Sequence, residues 1–450
     1  MSAEDSARSV SHAEGVDKVR ALQRVLYRSA KQNPTRRFHA LYDKVARSDV
    51  MWRAWTDVCT NGGAPGVDGV TIDAIAGSGV AGVRAFLDQL AADLRAGTYR
   101  PAPLRRVHIP KPGKPGQTRP LGIPTVRDRV AMAAAKIVLE PVFEADFVPS
   151  SFGFRPKRSA HMAIEAIRVE ANRGANWVLD ADIKACFDEI DHDALMAAVA
   201  RRVSDRSMLK LLRCWLRAGV FEGGVVSEVD SGTPQGSPIS PLLANIALYH
   251  LDEVWQRQGR RLGVLVRYAD DFVVVCPTRQ RAEEAQRRAA AVLAPLGLQL
   301  NPDKTRIVNL TGGAEGFDFL GFHLHKVESW RWRGRWYLQH WPSARAVSSI
   351  RAKVRFATRR QLVGVDLASV VKYLNPVLRG WGNYFRTGNS ARQFHLVDSY
   401  VHERLAILAS NKHGRSGRNW VTRYNGAWFR RLGVHTLTGT VRYGAAHAGR

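Results

Sequence analysis

The stretch that decides the fold is Gly263-Val-Leu-Val-Arg-Tyr-Ala-Asp-Asp-Phe-Val-Val-Val-Cys276, in which two apolar runs flank adjacent aspartates. The two runs predict strands joined by a tight hairpin turn. Such turns usually contain Asn-Gly or Asp-Gly, because these residues adopt positive φ at low cost. Asp270 and Asp271 instead repel each other, and a pair of divalent cations would neutralise them. The alternative interpretation is that both are ordinary residues of a solvent-exposed turn.

A further candidate carboxylate lies on an upstream strand predicted over residues 177–183, Trp-Val-Leu-Asp-Ala-Asp-Ile. Period-two alternation places Asp180 and Asp182 on the face opposite the apolar residues. Two ions about 3.5–4 Å apart can hold the attacking and leaving oxygens of a phosphoryl transfer. Because Mg²⁺ prefers oxygen ligands and keeps several waters, Asp182, Asp270 and the carbonyl of Ile183 are a suitable ligand set.

The charge balance indicates the class of partner. The 450-residue chain has 67 Lys and Arg against 40 Asp and Glu, a formal net charge of +27. A surplus of this size is typical of proteins that bind nucleic acid or an anionic membrane surface. No apolar run approaches the ~18 residues of a membrane span, and the first residues lack a signal-peptide pattern. Four scattered cysteines predict neither a zinc site nor disulfides. We therefore expect a nucleic-acid-binding protein of the reducing cytoplasm, without a membrane partner.

The positive charge is concentrated in two regions. From residue 341 to the end, 19 Lys and Arg face three acidic residues, a surplus of +16 that leaves +11 for the first 340 residues. A second basic stretch, residues 100–129, also contains seven prolines, which exclude a helix through most of it. It is expected to be an extended hairpin or loop, although a basic stretch can also be no more than a solvated face.

The remaining patterns predict mostly helices and antiparallel strands. Residues 1–35 are polar and are expected to form a partly helical, loosely held extension. Residue 240 is expected to be the N-cap of a helix over 241–255. An aromatic hairpin is predicted to turn at residues 333–334. Further predicted elements are a loop at 61–69, helices near 80–95, 130–140 and 279–294, strands near 305–310 and 317–324, and helices onward to about 410. This mixture favours an α+β core with an α-helical appendage.

Several motifs, in order along the chain, carry a resemblance to a known family. Tyr268-Ala-Asp-Asp271 resembles the catalytic box of reverse transcriptases, and Asp182-Ile-Lys-Ala-Cys-Phe187 resembles their first aspartate box. Gly232-Thr-Pro-Gln-Gly-Ser-Pro-Ile-Ser-Pro-Leu-Leu-Ala-Asn245 resembles their glycine-rich loop and helix. Further matching segments are 63–69, 109–111, 119–124, 152–156, 296–304, 319–322 and, in a maturase-like thumb, 378–385. Over roughly residues 62–408 the chain is similar to group II intron-encoded reverse transcriptases, also called maturases.

The resemblance implies an α+β right-hand polymerase with fingers, a palm built on an antiparallel sheet and an α-helical thumb. The implied regions are 1–60 (N-terminal extension), 61–175 (fingers with the start of the palm), 176–325 (palm with the catalytic carboxylates), 326–410 (thumb, maturase-like) and 411–450 (basic C-terminal segment). Larger family members often end in a DNA-binding region and an endonuclease with cysteine pairs. About 40 residues follow the thumb here, without cysteine. The compact bacterial type without an endonuclease domain is therefore expected.

The resemblance also implies the site residues. Asp182, Asp270 and Asp271 would be catalytic and would bind two Mg²⁺ ions with the Ile183 carbonyl, Asp271 more weakly, and Mn²⁺ is a possible substitute. The residues implied in binding the deoxynucleoside triphosphate are Lys111 and Arg119 on the phosphates, Phe187 against the sugar, Gln235 near the template–nucleotide pair and Lys304 at the leaving pyrophosphate. Four alternatives stay open: Lys114 in place of Lys111, Phe187 as a core aromatic, a helix-capping role for the loop of Gln235, and Lys304 as a solvated lysine.

Other residues are candidates for nucleic-acid contact. The basic ones are Arg379, Lys412, Arg415, Arg418, Arg430 and Arg431. Trp330, Trp332 and Trp336 could stack on bases, but packing at the palm–thumb junction is the preferred interpretation. His323 and His325 share a strand face, yet without a third ligand nearby a zinc site is not favoured.

The implied function is an RNA-directed DNA polymerase that copies intron RNA for retrohoming and assists splicing. Its partners would be group II intron RNA, target DNA and primer, and deoxynucleoside triphosphates, in the cytoplasm of a bacterium near the nucleoid. One alternative is a domesticated reverse transcriptase of phage defence or CRISPR spacer acquisition, which the glycine-rich box and maturase-like thumb disfavour. Another is a splicing cofactor without polymerase activity, which the retained aspartates disfavour. The sequence does not determine the oligomeric state.

Overall fold

The structure is a computed structural model that describes residues 3–110, 116–222, 225–227, 232–233, 236–412 and 423–442, with only the backbone for residues 3–17. Some residues singled out in the sequence lie outside the described residues: Lys111, Lys114, Gln235, Arg415 and Arg418. Within the described ranges, every helix is too short or too polar to cross a lipid bilayer.

Helices make up most of the regular structure. In chain order they are α1 (Ala3–Gln32), α2 (Tyr42–Val45), α3 (Ser48–Asn61), α4 (Ile72–Gly77), α5 (Gly79–Ala96), α6 (Val126–Glu144), α7 (Ala160–Asn172), α8 (Cys186–Glu189), α9 (His192–Ala200), α10 (Arg206–Leu216), α11 (Ser240–Val254), α12 (Arg279–Leu293), α13 (Ala344–Ala357), α14 (Leu367–Phe385), α15 (Ala391–Lys412) and α16 (Gly426–Arg431). A π-helical turn, Trp255–Gly259, continues α11. Short 3-10 turns lie at Ala294–Leu296, Thr311–Gly313 and Arg360–Leu362.

The strands form three sheets among the described residues. They are β1 (Leu104–Pro110), β2 (Thr118–Ile123), β3 (Trp177–Asp182), β4 (Val220–Glu222), β5 (Val225–Ser227), β6 (Val264–Tyr268), β7 (Asp271–Cys276), β8 (Arg306–Asn309), β9 (Gly316–Phe319), β10 (Phe322–Glu328) and β11 (Trp336–Pro342). The strand orders are β2-β1-β4-β5, β6-β7-β3-β8 and β11-β10-β9. The α+β class is confirmed, as are the strand over 177–183 and the hairpin over 263–276.

The chain divides into two compact units. The first unit comprises Met1–Ser159, Ala181–Val274 and Glu283–Arg306, and the second comprises Ala160–Asp180, Val275–Ala282 and Ile307–Arg450. In the first unit, α6 is buried on nearly every side and packs against α1 and α3. α6 is therefore a central helix of this core.

The helix predicted over 130–140 is longer than expected, and the prediction is wrong at its start. α6 begins at Val126, because the Thr125 hydroxyl caps it by accepting a hydrogen bond from the Asp128 backbone N–H. The Asp128 carboxylate is buried and accepts hydrogen bonds from the hydroxyls of Tyr99 and Thr125. The charged first turn therefore folds as helix instead of continuing the basic loop.

The N-terminal extension is held more firmly than predicted. From residue 18 onward, α1 buries Val19, Leu26 and Ala30 against the first unit. The Lys31 ammonium also donates to the Ala145 carbonyl at 2.8 Å. The sequence did not predict this packing, because the helix is polar overall and only one narrow stripe of it is apolar.

The proline-rich basic stretch forms the predicted hairpin. β1 and β2 pair antiparallel from Arg105 opposite Ile123 to Pro110 opposite Thr118. β1 also pairs in parallel with β4 through Leu104 and Val220. The hairpin therefore places Arg119 on an exposed strand of the first unit.

The N-cap predicted at residue 240 is also wrong. Ser240 is the first residue of α11, the preceding Ile239 already has helical dihedral angles, and no side chain caps this helix. The Ser240 hydroxyl is buried and has no hydrogen-bond partner among the described residues. Pro241 follows at a position where a helix tolerates the missing N–H.

In the second unit, the strand predicted over 317–324 is two strands. Leu320 and Gly321 have positive φ, 50° and 80°, so the chain reverses between β9 and β10. β10 then pairs antiparallel with β11, which confirms the predicted aromatic hairpin. The apolar run had concealed the turn because hydrophobic periodicity does not report the sign of φ.

The predicted packing of the hairpin tryptophans is wrong for Trp330 and Trp332, whereas the Trp336 ring lies against Gly313. Trp330 is 94% exposed and Trp332 is 51% exposed, at a tip that lies beyond the last β10–β11 pair, Glu328 and Trp336. The guanidinium groups of Arg331 and Arg335 stack on the Trp332 ring at 5.1 and 5.8 Å from its centroid. These cation–π contacts hold the exposed Trp332 ring without burying it.

Long helices complete the second unit, as predicted. α13 and α14 are capped by Ser343 and Asp366, whose side chains accept hydrogen bonds from backbone N–H groups of the first helical turn. The Asp398 carboxylate of α15 accepts hydrogen bonds from the backbone N–H groups of Leu437 and Thr438. This contact ties the segment after α16 back onto the helices.

Candidate active site

The Asp-Asp turn, Tyr268–Asp271, has a strained backbone held in place by its surroundings. Ala269 has φ +59°, a left-handed conformation that costs an alanine of order 1 kcal/mol or more. Its carbonyl accepts a hydrogen bond of 2.9 Å from the Arg267 guanidinium. The turn therefore keeps an unfavourable conformation because a buried side chain fixes it.

Arg267 is fully buried and uses all of its donors. Two of its N–H groups bind the Asp252 carboxylate at 2.8 and 2.5 Å. The others donate to Asn245 Oδ1 at 3.0 Å, to the Ser151 hydroxyl at 2.9 Å and to the Ala269 carbonyl. Because a guanidinium carries five N–H donors, none of them is left unpaired.

Gly153 contacts the same turn from another segment. A Cβ atom at Gly153 would lie 2.3 Å from the Ala269 nitrogen, so only glycine fits there without moving the backbone. The Asn245 side-chain amide holds this segment by donating to the Gly153 carbonyl at 2.8 Å. The turn is thus supported by the adjacent Arg267 and by two segments distant in sequence, residues 151–153 and α11.

Sequence reasoning missed this support. Asn245 and Asp252 are seven residues apart on α11, so they share one face of a helix whose neighbouring residues are apolar. A polar pair on a buried helix face, together with an arginine inside an apolar strand, was the available signal.

The structure brings the three predicted catalytic carboxylates together. Asp182 ends β3, and Asp270 and Asp271 lie at the turn between β6 and β7. The Asp182 side chain acts on the Asp271 carboxyl both through its charge and as a hydrogen-bond partner. Loss of hydration and the charges of Asp270 and Asp182 raise the pKa of Asp271 to about 7.

Two cationic side chains act on the same group of acids. Burial and the Asp182 charge raise the pKa of Asp270, whereas Arg119 and Lys304 act to lower it. Lys304 forms an ion pair with Asp182, with its ammonium 2.7 Å from Oδ2. Asn301 also donates to this oxygen at 3.1 Å. Lys304 is therefore an ion-paired residue at the site.

Ile183 lies beside Asp182 in an isolated bridge to Leu300. The hydrogen bonds of this bridge use the Asp182 carbonyl and the Lys184 N–H, at 2.8 and 2.9 Å. The Ile183 carbonyl takes no part in them, which is consistent with its predicted use as a ligand.

Phe187 lies on α8 and is half-buried. Its ring meets that of Phe154 edge to face, with centroids 6.5 Å apart. Phe154 is itself half exposed, so the two rings border solvent instead of filling the core. The Phe187 carbonyl accepts the Thr233 N–H at 2.5 Å, which joins α8 to the described start of the glycine-rich loop.

The donor set suits a hard divalent cation. All side-chain candidates are carboxylates, and burial together with the neighbouring acids raises the pKa of Asp270 and of Asp271. Among the described residues, no group of three or more His, Cys, Asp or Glu side chains forms a ready cage. Ions bound here would complete their coordination with water and substrate oxygens, as Mg²⁺ commonly does.

The remaining predicted residues lie in the second unit. Arg379, Lys412, Arg430 and Arg431 are exposed, and Lys412 donates to the Val365 carbonyl at 3.0 Å. Of the two strand histidines predicted not to bind zinc, His323 pairs with the Asp318 carboxylate at 2.7 Å and stacks on His325.

Comparison with known proteins places these features in context. Residues 109–324 match the family model "Reverse transcriptase (RNA-dependent DNA polymerase)", and residues 347–426 match "Group II intron, maturase-specific domain". Protein YkfC of Escherichia coli is 35% identical over 347 residues, covering 68% of this chain and 88% of that protein. The group II intron-encoded protein LtrA of Lactococcus lactis is 37% identical over 226 residues, covering 50% of this chain and 37% of LtrA. A telomerase structure from Candida albicans superposes with a TM-score of 0.41 at 14% identity, covering 77% of this chain and 66% of that chain, too weakly to carry an argument.

Proposed function

The chain belongs to the group II intron reverse transcriptase and maturase family, and we propose that Asp182, Asp270 and Asp271 are the catalytic carboxylates of its RNA-directed DNA polymerase. The observation that carries this proposal is their convergence from two strands into one group, in which burial and neighbouring charge raise the pKa of Asp270 and Asp271. Reverse transcriptase domains generally use divalent metal ions. Here the oxygen-only donor set favours two Mg²⁺ ions, with Mn²⁺ as the substitute.

When bound, the ions would supply the activation of the primer 3′-hydroxyl and the neutralisation of the triphosphate. The chain's own contribution is positioning. Arg267 fixes the Asp-Asp turn through the Ala269 carbonyl, and Asn301 fixes the Asp182 carboxylate. Lys304, held at Asp182, is the proposed donor of a proton to the leaving pyrophosphate.

Two further residues would select the nucleotide. The exposed Arg119 carries a planar guanidinium that suits phosphate oxygens, and its charge already acts on Asp270. Phe187 presents the edge of a half-buried ring beside the first aspartate box. We assign it the exclusion of a 2′-hydroxyl by contact with the sugar.

The maturase-specific match over residues 347–426 suggests binding of intron RNA. We propose group II intron RNA as template and splicing substrate, target DNA as the source of the primer, and deoxynucleoside triphosphates as substrates. Retrohoming and association with the nucleoid are parts of the same proposal. The basic second unit supports it, since phosphate contacts supply much of the affinity for nucleic acid.

Substitution Asp270→Asn tests the polymerase assignment. Several kcal/mol of transition-state stabilisation depend on such a ligand, so extension of a DNA primer on an RNA template should fall about 10²–10³-fold or more. Affinity for the template should not change. Asp303→Asn is the matched control, because Asp303 is an exposed acid one residue from Lys304 and should leave extension intact. Normal extension by the folded Asp270→Asn protein would refute the assignment.

The splicing part needs a separate assay. Asp270→Asn protein should still accelerate splicing of a group II intron transcript at low Mg²⁺, because RNA binding does not use the carboxylates. A variant that binds the transcript without stimulating splicing would remove the maturase proposal and leave the polymerase proposal standing.

A further inference from the structure

The solvent-facing side of α10 carries a continuous row of positive charge. Arg206, Lys210 and Arg213, with Arg217 immediately after the helix, follow one another at spacings of three or four residues. Residues at these spacings lie on one face of a helix. All four are exposed.

The row borders an open groove of about 660 Å³ in the first unit. Its other wall is the segment before β1, which contributes Arg100, Pro101 and Pro103. The Arg100 guanidinium donates to the carbonyls of Gly97 and Tyr99, which holds it in position. We name this feature, with its five basic side chains, the α10 groove.

Among the described residues, none of the ion pairs found includes Arg206, Lys210, Arg213 or Arg217. The acid nearest in sequence, Asp205, is turned inward. Its carboxylate accepts hydrogen bonds from four backbone N–H groups, those of Leu41, Tyr42, Ser207 and Met208. Like charges three or four residues apart destabilise a helix, so this arrangement calls for an anion from outside the chain.

We infer that the α10 groove binds the phosphodiester backbone of RNA, an inference that rests on the proposed RNA-directed function and adds a second contact surface to it. From Arg206 to Arg217 the row is eleven residues long, or about 16 Å at 1.5 Å per residue. This length is enough to face several successive phosphates of one strand.

Other anionic partners fit less well. A membrane-surface helix exposes apolar side chains for insertion, whereas the apolar face of α10, including Leu212 and Trp215, is buried in the protein. A single small anion would need only one or two of the charges. The length and openness of the row favour an extended polyanion.

The test compares two variants that lose the same charge. The groove variant carries Lys210→Gln, Arg213→Gln and Arg217→Gln. The control carries Arg281→Gln, Arg287→Gln and Arg288→Gln on α12, where Glu283 and Glu284 balance the arginines. The affinity of each protein for a stem–loop RNA is measured between 50 and 200 mM KCl, the range over which phosphate contacts dominate salt dependence.

Each lost phosphate contact should reduce the magnitude of the slope of log affinity against log salt by roughly 0.7–0.9. With three contacts removed, the magnitude of the slope of the groove variant should be smaller by about 2–3. Over the fourfold change in salt, wild-type affinity should then fall about 20- to 40-fold more than that of the groove variant. The control should keep the wild-type slope. If the slope falls equally in both variants, or does not change in either, the α10 groove is not the RNA-binding site.

Three further measurements distinguish the remaining explanations. Lys210→Arg, Arg213→Lys and Arg217→Lys preserve the charges and should keep the wild-type slope, and a loss there would show that charge is not the cause. Extension of a pre-annealed primer at saturating protein should be normal in the groove variant. Failure of extension in the wild type would contradict the proposed function, while the salt slope would still report on the groove. Loss of binding to phosphatidylserine vesicles without loss of RNA affinity would overturn the choice of RNA.

Discussion

Substitution Arg267→Lys should destabilise the first unit strongly although it preserves the charge. The guanidinium uses five N–H donors on four partners, whereas an ammonium has three donors and no planar fork. At least two buried acceptors would lose their hydrogen bonds. Since each unsatisfied buried group costs about 1–3 kcal/mol, the free energy of unfolding should fall by about 2–6 kcal/mol.

The measurement is urea denaturation of the purified protein, with Arg201→Lys as the control. Arg201 also binds a carboxylate through two nitrogens, that of Glu253, but it is exposed. Solvent screening makes such a pair worth about 0–1 kcal/mol, so the control should differ little from wild type. If Arg267→Lys costs no more than the control, the network does not hold the core as described.

The same variant should separate catalysis from binding. The hydrogen bond to Ala269 restrains the Asp-Asp turn, so its loss should lower kcat for primer extension. Affinity for RNA should be unchanged, because Arg267 is fully buried. A wild-type kcat at a temperature where Arg267→Lys is folded would show that the turn keeps its geometry without this contact.

Three other substitutions test separate features. Gly153→Ala should reduce kcat at least as much as Arg267→Lys, because its Cβ would meet the turn backbone at 2.3 Å; unchanged kinetics would show that the turn can shift freely. Phe187→Ala should raise incorporation of ribonucleotides relative to deoxyribonucleotides in a primer-extension assay, and an unchanged ratio would assign the ring to packing alone. Burial lowers the pKa of His340 to about 4 in the folded protein, whereas a histidine in the unfolded chain has a pKa of ~6.5. The stability contributed by the neutral His340 is therefore complete above pH ~6.5 and is lost as the pH falls towards 4. Between pH ~6.5 and ~4, the free energy of unfolding of His340→Gln, measured by thermal melts, should therefore fall on the order of 3 kcal/mol less than that of the wild type. Parallel plots of this free energy against pH for the two proteins would contradict the lowered pKa.

Local patterns were enough to predict the elements that carry the proposed chemistry. The hairpin around Asp270 and Asp271 and the strand that ends at Asp182 follow from apolar runs and period-two alternation. Their convergence did not follow from periodicity. It was expected because the motifs resemble a family whose members share one palm.

The errors arose where a local pattern has more than one structural outcome. A positive φ at Leu320 reverses an apolar run that otherwise looks like one strand. The charged first turn of α6 is helical because Thr125 caps it and because the Asp128 carboxylate accepts a hydrogen bond from the hydroxyl of Tyr99, 29 residues away. Trp330 is exposed because burial depends on which elements lie above a hairpin tip, and residue type alone does not report this.

The Arg267 network also constrains how the chain can fold while it is being made. Ser151 is synthesised 116 residues before Arg267, an interval of about 6–23 s at ~5–20 residues per second. Until Arg267 emerges from the ribosome, the Asp252 carboxylate has no cation to accompany it into the core, and burying it alone would be strongly unfavourable. The nascent first unit should therefore stay open, accessible to chaperones and proteases, and close only after the last partner has left the exit tunnel.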